Sequence, residues 1–474
     1  MDINSFINIL PILLITVLTL GAILNEAFVK KSEVILQWLT VLGTFGIGIY
    51  SLLKIDEQYL NFSGMLHSGG ITHIFYFIFL ITTGLIAVIS KNYFEKIQFH
   101  HGEFYLLLLL SALGMMVMAA SRDLMLTFLG LELMSICFYV LAGFNRKKLL
   151  NNEASLKYFL LGAFATGFLL YGIALIYGAA KTTNISTIVA SFPSLLSNVI
   201  FTVGLVLFLI GLSFKIAAFP FHMWVPDVYE GSPTTVTAFM STAGKTAAFS
   251  AMIVSLYGST VVPQMFADLS SMLAILSMLS MLFGSIVALA QTNLKRMLAY
   301  SSIAHAGYML IGIAAASKLG FSGVIYYLIV YTFMNLGAFL IISLLEDSAD
   351  KRVQLDDLSG LGNQRPALAA FMAIFMFALS GLPPFGGFFG KYYVFIAAIE
   401  SNMTWLAVVG VLSSVISAYF YLRVIIYMYF KETQISIPSK YSFAENFVLV
   451  LSVLVILQMG LLPATILDLI TKYL

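Results

Sequence analysis

Fourteen apolar runs, each closed by polar or turn-forming residues, divide the chain into a series of membrane-length segments. They fall near 6–24, 34–53, 73–90, 104–120, 122–142, 153–180, 195–229, 233–257, 266–290, 295–317, 320–345, 366–399, 404–430 and 443–468. The pattern predicts an all-α polytopic membrane protein with about 14 transmembrane helices. The seventh and twelfth runs exceed one simple crossing, and each holds proline near its middle. No connection is long enough for a folded soluble domain, so one membrane domain covers 1–474. The largest polar connection, Glu346 to Arg365, is expected to be a surface loop.

Composition sharpens this picture. Of 474 residues, 60% are hydrophobic and 10% charged, against about 25% charge in an average soluble domain. A soluble enzyme, a nucleic-acid binder and a disordered chain are excluded. A net charge of +2 implies no polyanionic partner. The single cysteine, Cys137, forms no internal disulfide and no cysteine metal cluster, and is expected as a packed thiol. The first apolar run lacks the basic lead and small-residue cleavage pattern of a signal peptide, so a retained span is expected.

The basic residues also orient the chain. Fourteen of 24 Lys and Arg fall in connections after odd-numbered spans, among them Lys30, Lys31, Arg146, Lys147, Lys148, Lys351, Arg352 and Lys440; five fall after even-numbered spans. Positive charge accumulates on the cytoplasmic side, so both termini are expected on the non-cytoplasmic side.

Lys157, Lys215, Lys245, Lys391 and Arg423 remain inside spans, with Glu132 as the clearest acid. Glu132 stands at the centre of its span, about 15 Å deep in a core about 30 Å thick. A charge there costs roughly 2.5–3.5 kcal/mol on insertion scales, so such groups face the interior, pair or meet water. One reading is buried pairs that lock helices together. Ion or proton conduction is favoured because a buried lysine changes its protonation readily. Lys157 either reaches towards Glu132 or snorkels to the headgroups, and Arg423 is expected to snorkel.

Lys215 precedes Pro220, which is expected to break the seventh span and free carbonyls beside the lysine. GLPPFGGFFGK (381–391) repeats the device, with Pro383 and Pro384 ahead of Lys391. Two broken spans, five apart and each carrying one lysine, suggest two repeats of about five spans. His305 near the middle of the tenth span either relays protons or packs as a satisfied core histidine. Ser301 and Ser302 either order water there or bond back to their helix. Lys295 opens this span as an anchor or a proton entry. His100 and His101, adjacent in a short loop, are expected to be solvated rather than metal ligands. No phosphate-cradling loop, dinucleotide fingerprint or cysteine cluster is present, so the chain draws on an ion gradient or a partner.

The runs FPFHMWVPDVYEGSPTTVTAFM (219–240), KRMLAYSSIAHAGY (295–308) and GLPPFGGFFGK resemble the antiporter-like membrane subunits of bacterial respiratory complex I, the NADH–quinone oxidoreductase. The resemblance covers nearly the whole chain. The stretch Val225–Gly231 and lysine at 391 are similar to the subunit N group, whereas the subunit M group carries glutamate at that position. A short C-terminus lacks the lateral helix of subunit L. The resemblance implies a proton-translocating subunit in the bacterial inner membrane, built on two inverted five-helix repeats, 104–257 and 266–430. Three N-terminal helices (1–100) and a C-terminal helix (443–474) flank them. It implies Glu132 tuning Lys215, Lys245 relaying and Lys391 exchanging the proton on the outer side, with His305 and Lys295 at polar positions of the same axis. Neighbouring antiporter-like and small membrane subunits are the implied partners, alongside the lipid bilayer. No cofactor is expected in this chain; flavin, iron–sulfur clusters and quinone belong to partner subunits. Two alternatives remain: a subunit of a multi-subunit sodium/proton antiporter, which shares the fold, and a structural membrane subunit without a proton path.

Overall fold

The computed structural model describes residues 3–30, 32–99, 101–195, 197–257, 263–346, 354–432 and 441–474. Lys31, His100, Lys351, Arg352 and Lys440, named from the sequence, lie outside the described residues. Apolar helices dominate: α1 (Leu10–Phe28), α2 (Glu33–Leu53), α3 (Gly70–Lys96), α4 (Glu103–Ala120), α5 (Leu124–Ala142), α6 (Leu149–Ala180), α7 (Val199–Ile216), α8 (Val225–Gly231), α9 (Thr234–Phe239), α10 (Lys245–Tyr257), α11 (Pro263–Leu289), α12 (Leu294–Ala314), α13 (Lys318–Leu345), α14 (Pro366–Ser380), α15 (Gly386–Glu400), α16 (Thr404–Phe430), α17 (Phe443–Leu461) and α18 (Pro463–Tyr473). One small hairpin pairs Tyr59–Asn61 antiparallel with Leu66–Ser68.

Twelve helices among the described residues are long and apolar enough to cross a membrane. The count differs from 14 for a local reason. The expected eighth span is split by a π-helical turn, Met240–Gly244, between α9 and α10. The expected twelfth is two 15-residue helices, α14 and α15.

Polar residues ahead of the apolar runs start the helices. The Asp123 side chain accepts from the amides of Met125 and Leu126, and the Asn293 side chain from that of Arg296. Each satisfies amides that have no partner inside the helix. Ser442 and Glu445 form a reciprocal capping box on α17. Glycine allows close crossings: a Cβ on Gly114 would meet the Gly130 carbonyl 2.7 Å away, so α4 and α5 pack backbone to backbone.

Both broken spans stop where the proline pattern indicates. α7 ends at Ala217 in the left-handed conformation (φ +67°), and Pro220 lies in the turn before α8. α14 ends at Gly381 (φ +84°), ahead of Pro383 and Pro384. Helix α12 is almost wholly buried, and α13 and α3 are mostly so, whereas α1, α6 and α16 expose much apolar surface. The core therefore sits around α12, which packs against α11, α13 and α15. At the end opposite Arg146, Asp56 anchors α18: it accepts hydrogen bonds from Tyr473 and from Lys472 at 3.1 Å. These bonds hold its carboxyl below the usual carboxylate range.

Candidate functional site: a buried polar axis

Four ionisable side chains expected inside the membrane lie along the core, joined by serines and tyrosines. Lys215, in the last turn of α7, is buried at 6% exposure. Its ammonium donates to Ser135 Oγ at 2.8 Å and to the Tyr139 hydroxyl at 3.2 Å, both on α5. The carbonyls expected beside it are otherwise taken: Trp224 Nε1 donates to the Phe214 carbonyl at 3.0 Å, and the Ala218 amide to that of Ser213. Glu132 lies one turn before Ser135 on α5 and accepts from Thr166 Oγ1 at 2.8 Å. Glu132 and the Lys215 partner Ser135 thus stand one turn apart on α5, and among the described residues Glu132 and Lys215 form no ion pair.

Lys245 follows the π turn directly. Such a turn inserts one extra residue and rotates the rest of the helix about its axis. Its ammonium meets both the carbonyl and the hydroxyl of Ser302 on α12, and sits 5.6 Å from the Tyr331 ring centre on α13. One turn along α12, His305 is held at both nitrogens: Nδ1 lies 2.8 Å from the Tyr327 hydroxyl and Nε2 3.0 Å from that of Tyr421. Ser301 closes this cluster through a hydrogen bond with Tyr421. Ser301 and Ser302 therefore use their hydroxyls across helices.

Lys391, in the second turn of α15, returns to the break. It donates to the Ser380 carbonyl at 2.8 Å and to Ser414 Oγ at 2.7 Å. Its ammonium lies 4.7 Å from the Tyr308 ring, and the Tyr308 hydroxyl donates to Ser413 Oγ at 3.1 Å. Because Tyr308 is three residues from His305, α12 carries Ser302 against Lys245, His305 itself, and the Tyr308 ring against Lys391. Among the described residues, none of the three lysines has a carboxylate partner.

A second, ionic cluster closes the basic end. Lys295 is buried and donates to the Ser232 carbonyl at 2.7 Å; Glu346 lies 3.5 Å away. Glu346 in turn accepts from Thr234 Oγ1 at 2.6 Å. Arg296 pairs with Asp227 at 2.7 Å and Glu230 at 3.0 Å, tying α12 to α8. Lys157 does not reach Glu132: partly exposed at the basic end, it pairs with Asp227 at 3.0 Å and Glu153 at 2.7 Å. Arg423 is likewise held by neighbouring groups. Its guanidinium donates to the carbonyls of Leu289 and Gln291, capping the end of α11. Cys137 is buried with a free thiol. Among the described residues, no three His, Cys, Asp or Glu side chains gather as a metal site.

Sequence reasoning missed Ser135, Tyr139, Tyr327, Tyr421, Tyr308 and Ser414. The repeat of Tyr327, Tyr331 and Asn335 every fourth residue on α13 was the available signal, since it places three polar groups on one helix face.

A family model described as NADH:quinone oxidoreductase/Mrp antiporter, TM, matches residues 121–417. The NADH-quinone oxidoreductase subunit N of Trichlorobacter lovleyi is 48% identical over 426 residues, covering 89% of this chain and 87% of the relative. Subunit N 1 of Chloroherpeton thalassium is 48% identical over 433 residues, covering 91% and 90%. A chain of respiratory complex I from Thermus thermophilus with bound aureothin superposes with a TM-score of 0.83 at 32% identity, covering 97% of this chain and 98% of that one.

Proposed function

The chain belongs to the NADH:quinone oxidoreductase/Mrp antiporter membrane family, among its subunit N members, and on that premise we propose that it is a proton-translocating membrane subunit of an NADH–quinone oxidoreductase. The observation that carries the mechanism is the trio of buried lysines held only by hydroxyls, carbonyls and aromatic faces. A serine or tyrosine hydroxyl accepts from an ammonium and donates to an amine. Each site therefore accommodates its lysine in both protonation states without a carboxylate fixing the charge.

Lys245 takes a proton from the basic side. Ser302, His305 and the Tyr327–Tyr421 pair, with ordered water, carry it towards Lys391, which releases it on the opposite side. His305 suits this because one ring nitrogen can receive a proton while the other gives one. The charge of Glu132 acts on Lys215 across the short gap between α5 and α7, so a shift of α5 against α7 changes how well Lys215 holds its proton. Redox energy arrives from neighbouring membrane subunits; flavin, iron–sulfur clusters and quinone sit in other subunits.

The basic end faces the cytoplasm of a bacterial inner membrane and both termini face outward. The π-interrupted α9–α10 segment and the α14–α15 pair complete 14 crossings, with 104–257 and 266–430 as inverted repeats between 1–100 and 443–474.

Purification of the tagged chain from its native membrane tests this reading. Co-purifying flavin and iron–sulfur subunits, with NADH-driven proton uptake in vesicles, are expected. Sodium-dependent pH change without any electron donor would contradict it.

A further inference from the structure

Asn335, on α13, is 1% exposed, and neither its amide nitrogen nor its amide oxygen has a hydrogen-bond partner among the described residues. The hydroxyl of Tyr331, one turn away on the same face, is likewise unpartnered and buried. A buried amide without a partner is costly and rarely persists in a folded protein; water satisfies such groups where protein does not. The position is specific. The Tyr331 ring stands beside the Lys245 ammonium, and Asn335 is one turn nearer the basic end, about 16 Å inside Glu346 along α13.

The basic end supplies the other terminus. Between Lys295, Glu346, Ser232, Glu230 and Asn293 lies a polar cavity of about 30 Å³, room for at least one water. Ser232 Oγ, in the cavity lining, and Thr235 Oγ1, in the first turn of α9, are also buried and unpartnered among the described residues. Unpartnered polar atoms thus occur at the mouth and beside Lys245, on helices that pack together: α13 lies against α9 and the π turn.

We infer that Asn335 and Tyr331 hold internal water that delivers protons from the Lys295–Glu346 mouth to Lys245. Asn335 is a positioning residue in this path. Its amide donates and accepts but does not ionise, so it orders water without trapping the proton. The inference rests on the proposed translocation and adds the residues of its input side.

The test is the proton-to-electron ratio of the whole complex in reconstituted vesicles, in H₂O and D₂O. Asn335→Leu keeps the side-chain volume close and removes every hydrogen-bonding atom, which a merely structural position would tolerate. The expected result is a lower ratio with a larger solvent isotope effect, and recovery of the ratio in Asn335→Ser, which leaves a hydroxyl and space for water. A full ratio in Asn335→Leu overturns the inference, as does an equal loss in both variants. If Asn335→Leu does not assemble, Tyr331→Phe carries the same test, and a full ratio there overturns it. Lys245→Ala is measured alongside. A deficient Lys245→Ala beside a normal Asn335→Leu removes this input path alone; a normal Lys245→Ala removes the translocation reading with it.

Discussion

The Lys245 ammonium donates to both the carbonyl and the hydroxyl of Ser302, at 2.5 Å each, across the interface of α10 and α12. The π turn Met240–Gly244 brings it there, and Gly244 lets that turn pack closely on α5, since a Cβ at 244 would run into the Phe138 ring. Gly244→Ala is expected to lose about 1–3 kcal/mol to overpacking, seen as a lower thermal-inactivation midpoint of the purified complex. Phe138→Leu in the same chain should restore it. A single variant as stable as wild type would show that α5 yields and that Gly244 does not fix Lys245.

Glu132 stands one turn from Ser135, the nearest hydrogen-bond acceptor of Lys215, and shares no ion pair with the lysine. Glu132→Gln keeps the Thr166 contact but removes the charge, and should lower proton pumping per electron. Glu132→Asp, a shorter arm with the same charge, should retain part of it. Ser135→Ala takes the nearest acceptor from Lys215 and should fall between. Normal pumping in Glu132→Gln beside deficient pumping in Lys215→Ala would rule out this pairing.

His305 is bonded at both nitrogens by tyrosines from different helices. Tyr327→Phe or Tyr421→Phe leaves one ring nitrogen buried without its partner, a loss of about 1–3 kcal/mol. Each should reduce the proton-to-electron ratio. The double variant should fall short of the summed effects, because all three groups form one network. Strict additivity, measured in vesicles, would mean that the tyrosines act separately.

Orientation is tested at the first turn of α6. Asn151 is buried, whereas Asn152 is exposed beside Arg146. A cysteine at Asn152 should react with an impermeant thiol reagent only after the inner membrane is opened, and buried Cys137 should stay silent. Labelling in cells permeabilised only at the outer membrane would reverse the topology.

Much of the axis was legible in the chain because charge inside an apolar run is rare and therefore visible: Glu132, Lys215, Lys245 and Lys391 stand out by that alone. The broken helices were legible from Pro220 and from Pro383 and Pro384. The connecting groups were not. Serine and tyrosine are common in apolar helices, and their pairing depends on contacts such as His305 with Tyr421, 116 residues apart. The π turn left no mark, since Met240–Gly244 reads as ordinary helix. The partners of Arg423 and Lys157 were not legible because depth in a span says nothing about which carbonyl or carboxylate a neighbouring helix offers. Nor does the sequence show that Arg296 pairs with two acids of the 219–240 run once α8 folds back over α12.

The central claim is that charge exchanged at the buried lysines moves protons, and Lys391 tests it most directly. Its ammonium bridges the two halves of the broken twelfth span through the Ser380 carbonyl and reaches Ser414. The measurement is protons pumped per electron by the purified complex carrying Lys391→Ala, in sealed vesicles driven by NADH and quinone. The account predicts an assembled complex with a clearly lower ratio than wild type. A wild-type ratio would place Lys391 outside the proton path and contradict the mechanism.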